Sequence, residues 1–327
     1  MRAVQAREAG GPEVLQYVEL PDPEPGPGRL LVRVAAAGVN FVDTYRRAGV
    51  YATSYPHVVG VEGSGVVEAL GDGVEGFAVG DPVAWAQAPG SYAELALVAA
   101  ADAVHVPAAL DLQTAAALPL QGMTAHYLVT STFAVAPGHD VLLTAGAGGV
   151  GLLATQLAVA RGGRVITTVS TPQKAALSSA AGAAHTIDYA GMTDLATQLP
   201  AAVRELTDGQ GVHVVYDGVG QATFDASLAS LRPRGTLVLF GAASGPVPPF
   251  NPQRLNQGGS LFLTRPSLGH YVATRPELEW RAGEILSAAA DGDLDVRVGA
   301  TFPLAEAAQA HRALEGRETT GKVLLVP

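Results

Sequence analysis

Residues 141–151, Val-Leu-Leu-Thr-Ala-Gly-Ala-Gly-Gly-Val-Gly, constrain the fold of this chain more than any other stretch. The first four lean to β structure and are mostly apolar, as a buried parallel strand is. Gly146, Gly148 and Gly151 form G-x-G-x-x-G. Val150, Leu153, Ala154, Leu157, Ala158 and Arg161 follow at helical spacing until Gly162-Gly163 end the run. A strand, a glycine turn and a helix N-terminus in succession suit a dinucleotide. Backbone N–H groups can approach a pyrophosphate where no side chain intervenes, and the helix dipole favours its negative charge. Gly146, Ala147, Gly148, Gly149, Val150 and Gly151 are therefore the expected cofactor cradle.

The flanking segments extend this unit into a sheet. Val165–Val169 reads as a second strand. Thr171 then suits an N-cap, Pro172 an N1 position and Gly182 a C-cap, which predicts a helix over 172–181. A short strand at 185–188, a helix somewhere between Tyr189 and Gly211 interrupted by Pro200, and a strand at Val212–Asp217 follow. A helix at Thr223–Leu231 and strands at Thr236–Phe240 and Leu261–Thr264 complete the series. This βαβα alternation predicts a doubly wound parallel sheet of Rossmann type over residues 122–265.

Residues 1–121 differ in character. Met1–Gln5, Leu15–Leu20, Leu30–Ala35, Val58–Leu70, Val83–Gln87 and Ser91–Val98 read as strands between Gly- and Pro-rich turns, which suggests a small barrel-like domain. The tail, 266–327, carries helices near 276–290 and 304–314 and a last strand, Lys322–Val326. The expected organisation is one β-rich domain from 1–121 and 266–327, with the nucleotide domain 122–265 inserted into it.

Composition removes several functions. No cysteine is present, so disulfides, thiol nucleophiles and cysteine-ligated zinc are excluded. A formal net charge of −10 gives no bulk attraction to nucleic acid or anionic membranes. No apolar run approaches the ~20 residues of a membrane span, and the N-terminus lacks a signal-peptide core, so a cytoplasmic location is expected.

The second strand decides which nucleotide is expected. An NAD site places an acid at its end, for the ribose 2′-hydroxyl. Here Ser170-Thr171 stands there, with Lys174 beyond it. Hydroxyls and an ammonium suit a 2′-phosphate, which favours NADP.

Gly38-Val39-Asn40-Phe41-Val42-Asp43-Thr44-Tyr45, Ala145–Gly151, Val215-Tyr216-Asp217-Gly218-Val219-Gly220 and Thr264-Arg265-Pro266-Ser267-Leu268 resemble the zinc-free quinone oxidoreductases of the medium-chain dehydrogenase/reductase superfamily, over the whole chain. Zinc-dependent cousins carry a cysteine where Asn40 stands and Gly-His-Glu where Gly60-Val61-Glu62 stands, so no metal is expected. The resemblance implies that the β-rich part is a GroES-like catalytic domain, with Asn40 and Tyr45 lining the substrate end. An amide and a phenol can orient a carbonyl without metal. It also implies that Gln121 and Thr124 lie near the nicotinamide and its ribose. Ser170, Lys174, Tyr189 and Arg317 would hold the 2′-phosphate, and Val219, Phe240, Gly241, Ser244, Leu263 and Arg265 the nicotinamide half. Gln121 stands where some relatives have lysine.

The implied activity is reduction of a quinone by NADPH in a homodimeric enzyme. Two rivals remain. One is an enoyl or 2-alkenal reductase in the same fold. The other is a non-catalytic NADPH- and RNA-binding crystallin-like protein, which the acidic charge disfavours.

Overall fold

The computed structural model describes residues 1–327. In chain order, the elements up to Met123 are β1 (Arg2–Ala6), β2 (Leu15–Glu19), β3 (Arg29–Val39), α1 (Phe41–Arg47), β4 (His57–Val58), β5 (Glu62–Leu70), β6 (Pro82–Trp85), β7 (Leu95–Ala99) and β8 (Val104–His105), then α2 (Leu112–Ala116) and α3 (Pro119–Tyr127). Next come β9 (Asp140–Leu143), α4 (Gly149–Ala160), β10 (Arg164–Val169), α5 (Pro172–Ala180), β11 (His185–Asp188), α6 (Leu195–Leu206), β12 (Val212–Asp217), α7 (Phe224–Ala229), β13 (Leu231–Leu239), α8 (Gln253–Gln257), β14 (Phe262–Thr264) and α9 (Leu268–Tyr271). The chain ends with α10 (Arg275–Asp291), β15 (Val298–Pro303), α11 (Ala307–Glu315) and β16 (Lys322–Val326). Met1–Met123 and Val272–Pro327 form one compact unit, and Thr124–Tyr271 forms another.

In the first unit, β15, β16, β3, β5, β6 and β8 are neighbours in that order, with β7 also paired to β3, and β2-β1-β4 form a smaller sheet. Along β3 an exposed Arg29 and Arg33 alternate with buried Leu30, Val32 and Val34. That alternation turns one face inward, where Trp85, Tyr92, Val98, Leu304 and Leu325 join it in the core. The last strand, β16, pairs with β3, Val323 facing Val39 and Leu324 facing Gly38.

The second unit is a six-stranded sheet in the order β11-β10-β9-β12-β13-β14, with every pairing parallel. Strand order reverses between β9 and β12, and ligands of such sheets bind outside the carboxyl ends at that switch point. The apolar stretches 141–143 of β9 and 214–216 of β12 are buried, as strands of a parallel sheet covered by helices on both faces are. The Thr171 hydroxyl accepts from the Lys174 N–H and Pro172 occupies N1, so α5 starts where its capping residues place it.

Several local expectations shift. Pro200 lies inside α6 and does not interrupt it. It stands in the second turn and removes only the bond to the Ala196 carbonyl. β13 starts at Leu231, within the span read as the end of a helix, and its register against β12 shifts between Val212 and Val214. No helix is long and apolar enough to cross a membrane.

Candidate active site

The glycine loop follows β9 at the switch point. Ala145 takes a left-handed conformation at φ +54°, and the Gly148 N–H closes the turn onto its carbonyl at 2.9 Å. A Cβ at Gly146 would stand 2.5 Å from the Thr167 Cβ, and one at Gly151 would overlap the Ala145 carbonyl oxygen. Glycine at these two positions is what lets β9, β10 and α4 close on each other. A Cβ at Gly148 would meet only the Ala145 oxygen within 4 Å, so the space beside the first turn of α4 is a cradle that a side chain would fill. The first-turn N–H groups of a helix have no intrahelical acceptors, and here they belong to Gly149, Val150 and Gly151. Loop and helix start thus fit a pyrophosphate.

The loop after β12 is built around Asp217, which has no solvent exposure. Its carboxylate accepts from the Val219 N–H at 2.8 Å, the Gly220 N–H at 3.1 Å, the Thr223 hydroxyl at 2.7 Å and the Ser227 hydroxyl at 2.7 Å. Ser244 donates to the Val219 carbonyl at 2.8 Å and accepts from the Ala222 N–H at 3.0 Å. Gly218 makes room for the Phe240 ring, since a Cβ there would come within 2.7 Å of it. Leu263 pairs with Leu237 in the sheet, and the Arg265 guanidinium donates to the Leu239 carbonyl at 3.0 Å. Val219, Phe240, Gly241, Ser244, Leu263 and Arg265 therefore gather around the carboxyl ends of β12, β13 and β14.

Ser170 and Lys174 lie past the end of β10, and Tyr189 just past the neighbouring β11, its N–H bonded to the Val169 carbonyl at 3.1 Å. A hydroxyl, an ammonium and a phenol with no carboxylate among residues 170–174 suit a nucleotide carrying a 2′-phosphate. Thr124, also in this unit, is buried. Arg317 belongs to the first unit, exposed just after α11 with φ +59°.

Asn40, in the first unit, precedes α1 and is 4% exposed. Its side-chain amide donates to Glu62 Oε2 at 2.7 Å and to the Gly38 carbonyl at 3.2 Å, and its Oδ1 accepts from Lys322 Nζ at 2.8 Å. Both amide hydrogens are committed within the protein, which bears on the expectation that Asn40 donates to a substrate carbonyl. Lys322 also donates to Glu62 Oε2, and Glu62 Oε1 accepts from the Leu120 N–H at 2.6 Å. Leu120 lies in the first turn of α3, beside the partly exposed Gln121. Tyr45 is on α1, edge-on to Tyr51 at 5.8 Å between ring centroids.

A second buried chain of polar groups extends from the same turn. The Asn40 N–H donates to Asp43 Oδ2 at 3.0 Å, and so does the Tyr92 hydroxyl at 3.1 Å. Arg47 can only donate, so His311 Nδ1 accepts from it at 3.0 Å. The ring proton then sits on Nε2, which donates to the Tyr92 oxygen at 3.2 Å. Burial pushes the Asp43 carboxyl up to about 7, and burial together with the Arg47 charge lowers His311 to about 3. Lys322, Glu62, Asp43, Tyr92 and His311 lack any local sequence signal of a shared role. They are distant in the chain and meet only when β16 and α11 return to the first unit. No group of three or more His, Cys, Asp or Glu side chains is placed to hold a metal ion.

Residues 26–108 match the family model for the alcohol dehydrogenase GroES-like domain, and residues 149–280 that for zinc-binding dehydrogenases. The quinone oxidoreductase of Pseudomonas aeruginosa is 45% identical over 328 residues, covering 100% of this chain and 99% of the relative. The chain belongs to the medium-chain dehydrogenase/reductase family. Its fold, a Rossmann sheet with a separate GroES-like β-rich domain, is the one the resemblance implies. A mycobacterial protein solved in complex with NADPH superposes with a TM-score of 0.97 at 52% identity, over 100% of both chains. The Escherichia coli quinone oxidoreductase in complex with NADPH superposes with a TM-score of 0.96 at 42% identity, again over 100% of both chains.

Proposed function

We propose that this chain is an NADPH:quinone oxidoreductase that works without zinc. The observation that carries the reading is the similarity over the whole chain to quinone oxidoreductases at 42–45% identity. The glycine cradle and the carboxylate-free Ser170–Lys174 corner support it.

NADPH, when bound, supplies a hydride from its nicotinamide. The chain's own residues hold and orient. The loop Gly146–Gly151, with Ala147, Gly148, Gly149 and Val150, takes the pyrophosphate on backbone N–H groups. Ser170, Lys174, Tyr189 and Arg317 take the 2′-phosphate. Val219, Phe240, Gly241, Ser244, Leu263 and Arg265 hold the nicotinamide half, with Gln121 and Thr124 toward its ribose. At the substrate end the two expected residues divide the work. Asn40, its amide held by Glu62 and Gly38, forms a fixed wall of the substrate end, and Tyr45 supplies the hydroxyl that orients the substrate oxygen. The domain division that goes with this reading is 1–121 with 266–327 as catalytic domain and 122–265 as NADP-binding domain.

The protein is proposed to be a cytoplasmic homodimer. β14 is the edge of its sheet and Phe262 on it is 61% exposed, a surface that a two-fold mate would cover. Light scattering coupled to size exclusion tests this, and a monomer at micromolar concentration overturns it.

The activity is tested by following NADPH oxidation with 1,4-benzoquinone, a naphthoquinone and a conjugated enone. Quinone turnover with NADPH preferred over NADH is expected. Turnover of the enone alone would move the assignment to an alkenal reductase.

A further inference from the structure

The strands β16, β3 and β5 lie side by side, and Gly38 is the residue of β3 that faces Leu324 on one neighbour and Glu62 on the other. Lys322 and Glu62 reach each other across it. A Cβ at Gly38 would overlap both the Glu62 carboxylate and the Lys322 Cε, so the ion pair exists because that position has no side chain. Lys322 is 1% exposed and Glu62 has no exposure. Two charges so placed are costly unless their hydrogen-bonding capacity is used. It is used on two parts of the candidate site: Asn40, held by Lys322 at Oδ1 and by Glu62 at Nδ2, and the Leu120 N–H that opens α3, held by the other Glu62 oxygen.

We infer that Lys322 is a positioning residue for hydride transfer, pinning Asn40 and, through Glu62, the start of α3 that carries Gln121. The inference rests on the function proposed above. Lys322 touches no reacting atom. Its ammonium fixes which way the Asn40 amide faces, because only Oδ1 can accept from it and only Nδ2 can donate to Glu62. Without the ammonium, the amide can flip and the Glu62 carboxylate can turn. The Asn40 turn and the first turn of α3 then lose their common anchor. Misplacement on the ångström scale costs about a hundredfold in rate, and the loss falls mainly on the chemical step, because the glycine loop and the Ser170–Lys174 corner that grip the phosphates belong to other elements than α3 and the Asn40 turn.

The single variant Lys322→Met strands a buried carboxylate and can fail to fold. The informative protein is therefore the double variant E62Q/K322M, which removes both charges at nearly constant volume, with Lys322→Arg retaining the charge. Three quantities are measured in the wild type and both variants: NADPH affinity by fluorescence titration, kcat and the deuterium isotope effect with 4-deuterated NADPH and 1,4-benzoquinone, and, in the unliganded protein, the Asn40 side-chain amide resonances. For E62Q/K322M the expected results are NADPH affinity within about threefold of wild type, kcat lower by roughly 10–100-fold, an isotope effect at least as large as that of the wild type, and faster exchange of the Asn40 amide protons. Lys322→Arg is expected to recover part of kcat. A double variant with kcat within about twofold of wild type, or with reduced kcat and a smaller isotope effect, overturns the inference. So does an Asn40 amide that stays protected. A wild-type protein that oxidises NADPH with no quinone overturns the functional reading and this inference with it, whereas normal wild-type turnover beside an unimpaired double variant overturns the inference alone.

Discussion

The Tyr92 hydroxyl donates to the Asp43 carboxylate at 3.1 Å, and neither residue has any solvent exposure. The other Asp43 oxygen, Oδ1, has no hydrogen-bond partner, so the ionised form is poorly paid for in contacts. Burial accordingly raises the carboxyl from 3.8 to about 7. A raised pKa means that the folded state binds more protons than the unfolded state between those values. The contribution of Asp43 to stability is then fully present below about pH 4 and lost as pH rises through about 7. Asp43→Asn cannot ionise. Relative to the wild type, the variant is expected to gain stability steadily from pH 4 to pH 7, by up to ~4 kcal/mol at roughly 1.4 kcal/mol per unit. Urea unfolding of both proteins across that range measures it, and a difference that does not change with pH refutes it.

His311 titrates in the opposite sense. Its folded pKa is lowered from 6.5 to about 3, so its contribution is present above 6.5 and is lost as pH falls toward 3. In the wild type this loss partly cancels the gain from Asp43 over the same acid range. His311→Gln keeps a polar side chain but removes the titration. It is expected to lose less stability than the wild type between pH 6.5 and pH 4, by the same unfolding measurement. Equal acid slopes in the two proteins would show that His311 is protonated without cost.

Arg47 ties three segments. It is 2% exposed and forms a two-pronged pair with Glu315 at 2.8 and 3.1 Å while donating to the Gly10 carbonyl at 3.0 Å and to His311. Removing one partner of a fully buried pair costs about 3–5 kcal/mol, but Glu315 is partly exposed and can turn to water. Arg47→Met is therefore expected to lose about 2 kcal/mol, mostly from the stranded Gly10 carbonyl and His311 ring. A loss below about 0.5 kcal/mol in denaturant unfolding would mean that water replaces all of these bonds.

What could be read in the sequence was local. The β9–α4 loop declared itself because its glycines and the apolar spacing after them lie within a few turns of chain. Thr171-Pro172 likewise marked the start of α5 because a cap and an N1 proline act on their own helix. Pro200 misled because a proline one turn into a helix loses a single bond, and packing of its buried face outweighs that loss. The Lys322–Glu62–Asn40 cluster had no such signature. Its members are separated by 260 and 282 positions for the two lysine contacts, and only the pairing of β16 with β3 brings them together. A lysine at the start of an apolar strand reads as solvated until Gly38, on the neighbouring strand, is seen to leave room for it.

The glycine loop gives a sharp test of the cradle. Gly151→Ala introduces a Cβ that overlaps the Ala145 carbonyl oxygen, which is backbone and cannot swing aside. The loop must move as a whole, taking the first-turn N–H groups with it. NADPH affinity is expected to fall at least about tenfold, or ~1.4 kcal/mol, while far-UV circular dichroism stays unchanged because β9 and α4 persist. Unaltered NADPH binding by a folded Gly151→Ala protein would mean that the nucleotide does not use this turn.

On the proposed reading, Lys174 discriminates between the two nicotinamide nucleotides, which differ only at the 2′ position. Its backbone N–H is used by the Thr171 cap, so the helix start does not depend on the side chain. Lys174→Ala should therefore leave α5 in place and remove one cation from the Ser170, Lys174 and Tyr189 corner. A charge-assisted hydrogen bond is worth about 1.5–3 kcal/mol, so affinity for NADPH is expected to drop by roughly 10–100-fold. NADH carries no 2′-phosphate, and its affinity should change by less than about twofold. Titration of both nucleotides against the wild type and the variant settles the matter. An equal loss for NADPH and NADH would place Lys174 elsewhere on the nucleotide, and no loss for either would leave the phosphate to Ser170, Tyr189 and Arg317.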